Sequence, residues 1–190
     1  MSPPSAPGSG FRKLGERVVH RGRLVTLATA RFAGPDGGRF EREIVHHPGA
    51  VAVVPVLGDG ATALLVRQYR AVLDAHLLEI PAGKLDQDGE SLLATAAREL
   101  GEEIGHRAGR LELLAEMYNS PGFCDEHSHV YLARELTPCA PSPQGVEERH
   151  MTVEAVALAE VPAMIADGRL VDAKTVVGLA LARERLGLLA

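Results

Sequence analysis

Leu78 to Gly105 reads LEIPAGKLDQDGESLLATAARELGEEIG, and its changes of period decide the fold. Leu77 to Ile80 is a short apolar strand, stopped by Pro81 because proline has no amide proton for a ladder. A polar, Gly-containing loop follows. From about Glu90 the period changes, and Leu93, Ala96, Ala97, Leu100 and Ile104 recur at three- and four-residue steps. That spacing predicts one apolar helix face, with Gly105 as the residue beyond its C-cap. Opposite this stripe stand Glu99, Glu102 and Glu103, whose i, i+3 and i+4 spacing converges three carboxylates on one surface. Like charges so placed cost helix stability, which Arg98, four residues before Glu102, offsets only in part. A solvated acidic face is one reading of the trio. A site for a hard cation is the other, since Mg²⁺ takes oxygen ligands shared between carboxylates and phosphates.

On either side the chain reads mostly as strands. Val18 to Phe32 and Arg39 to His47 are rich in β-branched residues and flank the turn cluster Gly34-Pro35-Asp36-Gly37-Gly38. They predict a small N-terminal β unit. Ala50 to Leu57 and Thr62 to Tyr69 are apolar runs around Gly58-Asp59-Gly60 and read as a β-hairpin. Strands are expected again at Leu111 to Met117, His129 to Ala133 and Met151 to Ala157, and closing helices at Val161 to Ala166 and Ala173 to Leu188. The expected fold class is α+β, a mixed β-sheet sandwiched between helices and preceded by a small β appendage. The domain reading is a flexible tail at 1–10, rich in Pro, Ser and Gly, a β subdomain at 11–48 and a main domain at 49–190.

The chain has 190 residues, 46% hydrophobic and 24% charged, with net charge −5. That balance suits a globular protein with a substantial core and disfavours a nucleic-acid partner, which needs clustered cations. The run from Arg12 to Arg31 is the one basic exception. No segment approaches the roughly 18 apolar residues of a membrane span. Cys124 and Cys139 are the only cysteines, too few for a disulfide framework or a CxxC metal site. A reducing cytoplasmic setting is expected. His127 and His129 would share a face if extended, but lack the Cys or third His companion of a structural zinc site.

Taken together, Gly83, Glu90 and Arg98-Glu99-Leu100-Gly101-Glu102-Glu103-Ile104-Gly105 resemble the Nudix box. Seven fixed residue types at roughly 6% frequency each coincide about once in 10⁸ positions. The chain departs from the pattern in having six residues, Lys84 to Gly89, between Gly83 and Glu90, where the family has five. His106 also stands where the family has an apolar residue. The extra residue falls before the helix and leaves the carboxylate spacing unchanged. The resemblance implies that Glu99 and Glu103 are the principal metal ligands, joined by the backbone carbonyl of Ala82 and assisted by Glu102. Arg98 and Glu90 would hold that face in place, and Gly83 would lie against the substrate. The implied cofactor is Mg²⁺, with Mn²⁺ the alternative.

Three further segments resemble ADP-ribose pyrophosphatases within that family. Arg67 and Arg70, in Val66-Arg67-Gln68-Tyr69-Arg70, would reach phosphate oxygens as bidentate donors. Pro121 stands fifteen residues after His106, and Glu126 in the same loop would contact the terminal ribose. Gln144-Gly145-Val146-Glu147-Glu148-Arg149-His150 would carry the general base, with Glu147 favoured and Glu148 second. The resemblance implies water attack on the pyrophosphate of ADP-ribose, giving AMP and ribose 5-phosphate. It also implies a homodimer with exchange of N-terminal strands and a small-molecule nucleotide as partner. An adenine stack would fall to Phe11, Phe32, Phe40 or Tyr69, or to an arginine plane in their place. The alternatives are another nucleoside diphosphate sugar, an oxidised nucleoside diphosphate, or a module that senses ADP-ribose without cutting it.

Overall fold

The computed structural model describes residues 10–85, 87 and 89–188. The expected tail at 1–10 lies outside these residues except for Gly10, as do Asp86 and Asp88 in the loop before the helix. The chain divides into two compact units, residues 1–48 with 120–126, and residues 49–119 with 127–190.

In the first unit, β1 (Arg12–Arg21), β2 (Thr26–Ala33) and β3 (Arg39–His46) form an antiparallel sheet in that order. The β-rich run from Val18 to Phe32 spans the end of β1 and most of β2. A tight turn closed by Gly22 N–H to Val25 C=O divides it. Segment 120–126 packs on β3, where the Val45 amide donates to the Phe123 carbonyl and the Asp125 amide to the Val45 carbonyl. His46 is held between two acids, Nδ1 to Asp125 at 2.5 Å and Nε2 to Glu16 at 2.9 Å. Phe32 and Phe40 stack with centroids 5.4 Å apart, and Phe11 meets Phe40 edge-on.

Among the described residues the second unit holds two sheets and three α-helices. One sheet runs β7 (Ala82–Lys84), β4 (Ala50–Pro55), β9 (His127–Pro138), β8 (His106–Tyr118). It is mixed, with β4 and β9 parallel and the outer pairs antiparallel. The other runs β10 (Thr152–Ala157), β5 (Thr62–Arg70), β6 (Ala75–Glu79). The Ala50–Leu57 and Thr62–Tyr69 runs are therefore not a hairpin. They meet only beside the turn, through the Leu57 amide to the Thr62 carbonyl and the bridge Val56–Ala63, and then part into different sheets.

All six residues of β4 are buried, as expected of a strand covered on both faces. Ala52 and Val54 pack with Val130, Leu132 and Leu65 beneath Leu179 and Ala182 of α3 (Ala173–Arg185). Val51 and Val53 pack with Tyr131, Ala133, Leu64 and Val66 beneath Ala96, Leu100 and Ile104 of α1 (Leu92–Ile104). Helix α3 lies so close that a Cβ on Gly178 would sit 3.0 Å from side chains of Ile80, Val130 and Val54. Helix α2 (Val161–Ala166) adds Val161 and Met164 to the same core.

Helix α1 begins at Ser91, whose hydroxyl accepts from the Ala94 amide, and ends at Gly105 in the left-handed conformation, φ 63°. Its buried face differs from the expected stripe. Leu93 and Ala97 are exposed, whereas Thr95, Glu99 and Glu103 are buried beside Ala96, Leu100 and Ile104. Two of the three carboxylates thus flank the apolar face instead of opposing it.

Candidate active site

Gly83 on β7 passes directly under α1. The carboxyl of Glu99 lies where a Cβ on residue 83 would be, so only glycine fits without displacing it. One residue earlier, the Ala82 amide donates to Glu103 Oε2 at 3.1 Å. The strand end therefore fixes both carboxylates at the point where it meets the helix.

Arg98 ties the rest together. Its Nε and Nη2 donate to the two oxygens of Glu90, each at 3.1 Å. Its Nη1 donates to Glu99 at 2.7 Å and to Glu102 at 2.9 Å. Glu90 in turn accepts from the Thr95 hydroxyl. The Arg98 hydrogen bond is the main reason the Glu90 carboxyl is held below its ordinary range.

Glu99 and Glu103 are 7% and 9% exposed. Burial pushes Glu99 up to about 7, with Glu102 and Glu148 adding to the rise and Arg98 opposing it. Burial, reinforced by Glu99 and Glu148, pushes Glu103 up to about 8. One guanidinium shared among Glu90, Glu99 and Glu102 leaves this cluster short of positive charge. That imbalance suits a bound cation, which would favour the ionised carboxylates. All-oxygen donors suit Mg²⁺ or Mn²⁺. The residues present therefore fit a hard divalent ion.

The acidic loop reaches the helix through Gln144. Its side chain donates to Glu102 Oε1 at 3.3 Å, and its amide donates to Glu148 Oε2 at 2.5 Å. Glu148, in a short 3₁₀ turn over Glu148–His150, is the loop acid whose charge acts on both Glu99 and Glu103. Glu147, expected to lead, is exposed at the N-terminus of that turn.

Arg70 lies on the α1 side of the site, where its charge opposes the rise of Glu103. It makes a two-pronged pair with Glu79 at 2.7 and 2.5 Å. Arg67, three residues earlier, projects from the opposite face of β5 and pairs with Glu154 at 2.5 and 3.1 Å. It is not brought to the carboxylates. Its neighbours across a shallow cleft include His76, Leu78 and Arg169. Pro121 and Glu126 lie in segment 120–126 and belong to the first unit.

Glu79 was not anticipated as part of the site. It is 1% exposed and sits between Arg70 and Lys174, the latter 4.0 Å away. Lys174 also pairs with Asp172 at 2.7 Å. Asp172 caps α3 through the Thr175 amide, and Thr175 accepts from the Ile80 amide. A lone acid between Leu78 and Ile80 was the available signal, because a charge inside a buried strand needs a partner.

Comparison with known proteins identifies relatives of this chain. A family model described as NUDIX domain matches residues 46–176. The chain is 37% identical to the ADP-ribose pyrophosphatase of Bacillus subtilis (strain 168), covering 86% of this chain and 88% of that protein. It is 36% identical to the ADP-ribose pyrophosphatase of Mycobacterium tuberculosis (strain H37Rv), covering 89% and 81%. A crystal structure of an ADP compounds hydrolase superposes with a TM-score of 0.81 at 26% identity, covering 93% of this chain and 94% of that one. With the helix, the glycine beneath it and the match over residues 46–176 in agreement, the chain belongs to the NUDIX family.

Proposed function

We propose that this protein hydrolyses the pyrophosphate of ADP-ribose to AMP and ribose 5-phosphate, using Mg²⁺ or Mn²⁺. The observation that carries the reading is the pair of buried carboxylates, Glu99 and Glu103, gathered over Gly83 with the charge of Glu148 acting on both. The names of the relatives favour ADP-ribose over other nucleoside diphosphate sugars.

Glu99, Glu103 and the Ala82 carbonyl would hold the ion, and Glu102 would assist. When bound, the ion offsets the charge of the phosphate oxygens that otherwise repels a nucleophile. Arg98 keeps Glu99 and Glu102 oriented while Glu90 orients Arg98. Arg70, steadied by Glu79, supplies positive charge beside Glu103, where a phosphate oxygen would approach. We assign the general base to Glu148, in preference to Glu147. Its carboxylate takes the proton from water as the water oxygen bonds to phosphorus. The bridging P–O bond breaks, and the departing phosphate leaves with its electron pair.

The first unit supports a homodimer reading. β1 is a sheet-edge strand with Phe11 and Val19 exposed beside it and along it, a surface suited to a second copy. The species expected in solution is twice 20.2 kDa, as light scattering would measure. No helix among the described residues is long and apolar enough to cross a membrane, and both cysteines are free, in keeping with a cytoplasmic protein.

The test is AMP release from ADP-ribose, ADP-glucose, GDP-mannose and NADH, each with and without Mg²⁺. Metal-dependent turnover strongest on ADP-ribose supports the substrate assignment. A stronger response to another member moves the assignment to that sugar. Binding of ADP-ribose without turnover on any of them would replace the enzyme reading with a sensing module.

A further inference from the structure

Strands β8 and β9 pair with Glu116 opposite His129 and Tyr118 opposite His127. Residues two apart on a strand share a face, so His127 and His129 stand side by side with Glu116 as a cross-strand neighbour. One ligand atom from each of the three lies within 4.8 Å of the other two. His127 Nε2 is 3.7 Å from Glu116 Oε2, and the two imidazole centroids are 4.5 Å apart. A tetrahedral ion with ligands at about 2.0–2.2 Å sets those ligands about 3.4 Å apart. Small side-chain rotations bring the triad to that spacing.

Two further features prepare it. His129 is only 7% exposed, and its Nδ1 has no hydrogen-bond partner among the described residues, a costly state for a buried polar atom. His127 is steadied by stacking on Tyr118, centroids 4.8 Å apart.

We propose that Glu116, His127 and His129 form a second metal site, taking a zinc-class divalent transition ion through two imidazoles and one carboxylate and leaving a fourth position open. The donor set excludes Mg²⁺ as the preferred ion, because imidazole suits zinc, copper and nickel. It is also separate from the carboxylates over Gly83. Val51 pairs with Gly83 on one side and His129 on the other. Two strand spacings, about 10 Å, therefore lie between Gly83 and His129, too far for one shared ion.

The test uses the full chain without an affinity tag, stripped with chelator and kept in excess Mg²⁺ to occupy the carboxylate face. Zn²⁺ binding is followed by equilibrium dialysis, and Co²⁺ by its visible ligand-field bands. Expected is one equivalent in the unsubstituted protein and in Glu103→Gln. Binding should weaken at least about tenfold in His127→Ala and in Glu116→Gln, since losing even an outer partner costs that much. These two positions are the more exposed ones, and circular dichroism confirms that each variant is folded. X-ray absorption at the zinc edge of the unsubstituted protein gives an independent reading, with imidazole scattering expected. No stoichiometric ion, binding lost in Glu103→Gln, binding unchanged in both triad variants, or an edge spectrum without imidazole would each overturn the proposal.

Discussion

The Glu99 carboxyl occupies the space that a Cβ on Gly83 would need. Gly83→Ala is therefore expected to push Glu99 away from Glu103 while leaving the two cores of the second unit intact. Mg²⁺ affinity should fall by about 10- to 100-fold, the range seen when a ligand's support is lost. Calorimetric titration of a variant with unchanged circular dichroism checks it, and unaltered affinity would remove the packing argument.

Arg98 reaches Glu90, Glu99 and Glu102 at once. A lysine carries the charge but lacks the planar fork. Arg98→Lys should lower stability by about 1–3 kcal/mol, the cost of charged hydrogen bonds left unmade, and reduce kcat by at least about tenfold. Denaturant unfolding and steady-state kinetics separate the two effects.

Of the loop acids, Glu148 is a named source of the rise at both Glu99 and Glu103. Glu148→Gln is expected to lower kcat by about 10²- to 10⁴-fold, the usual contribution of a general base, with little change in nucleotide affinity. Glu147→Gln should retain nearly full activity. The reverse ranking would return the base to Glu147.

Metal binding and protonation compete at the carboxylates. Glu99 and Glu103 are raised to about 7 and about 8, so Mg²⁺ affinity should climb with pH through that window, with proton release on binding below it. Calorimetry in buffers of different ionisation enthalpy measures the released protons. In the metal-free protein the sign is opposite. The folded state holds these protons more tightly than the unfolded one, so the pair lowers stability as pH rises from 4.5 through their folded values. Glu103→Gln should flatten that slope.

His46 carries the corresponding signature in the first unit. The hydrogen bond to Asp125 leads its rise above 6.5, burial opposes it, and Glu16 adds to it. Its stabilisation is complete below 6.5 and is lost as pH rises through the folded value. Amide-exchange protection at Val45 and Asp125, corrected for intrinsic rate, should decline above 6.5 and be flat in His46→Gln.

Much of the fold and of the candidate site is legible in the amino-acid sequence. The i, i+3, i+4 spacing of Glu99, Glu102 and Glu103, with Arg98 alongside and Gly83 before the helix, is local information, and local geometry brings those residues together. What the sequence conceals depends on partners far away in the chain. Leu93 and Ala97 satisfy helical periodicity as well as Thr95 and Glu99 do, and the strands packed against α1, namely β8, β4 and β7, decide which pair is buried. The Gly58-Asp59-Gly60 turn looks like a hairpin, but β4 finds β9 and β7 instead of β5. Arg67 and Arg70 look equivalent until strand alternation sends one to Glu154 and the other to Glu79. The choice between Glu147 and Glu148 turns on a single 3₁₀ turn that no periodicity announces.

The most direct measurement is Mg²⁺-dependent AMP release from ADP-ribose by the unsubstituted protein and by Glu103→Gln, side by side. Expected is turnover that needs the ion in the first and is reduced by at least about 10²-fold in the second, with circular dichroism unchanged. Comparable turnover in Glu103→Gln, or turnover that persists in excess chelator, would contradict the assignment of chemistry to the carboxylates over Gly83.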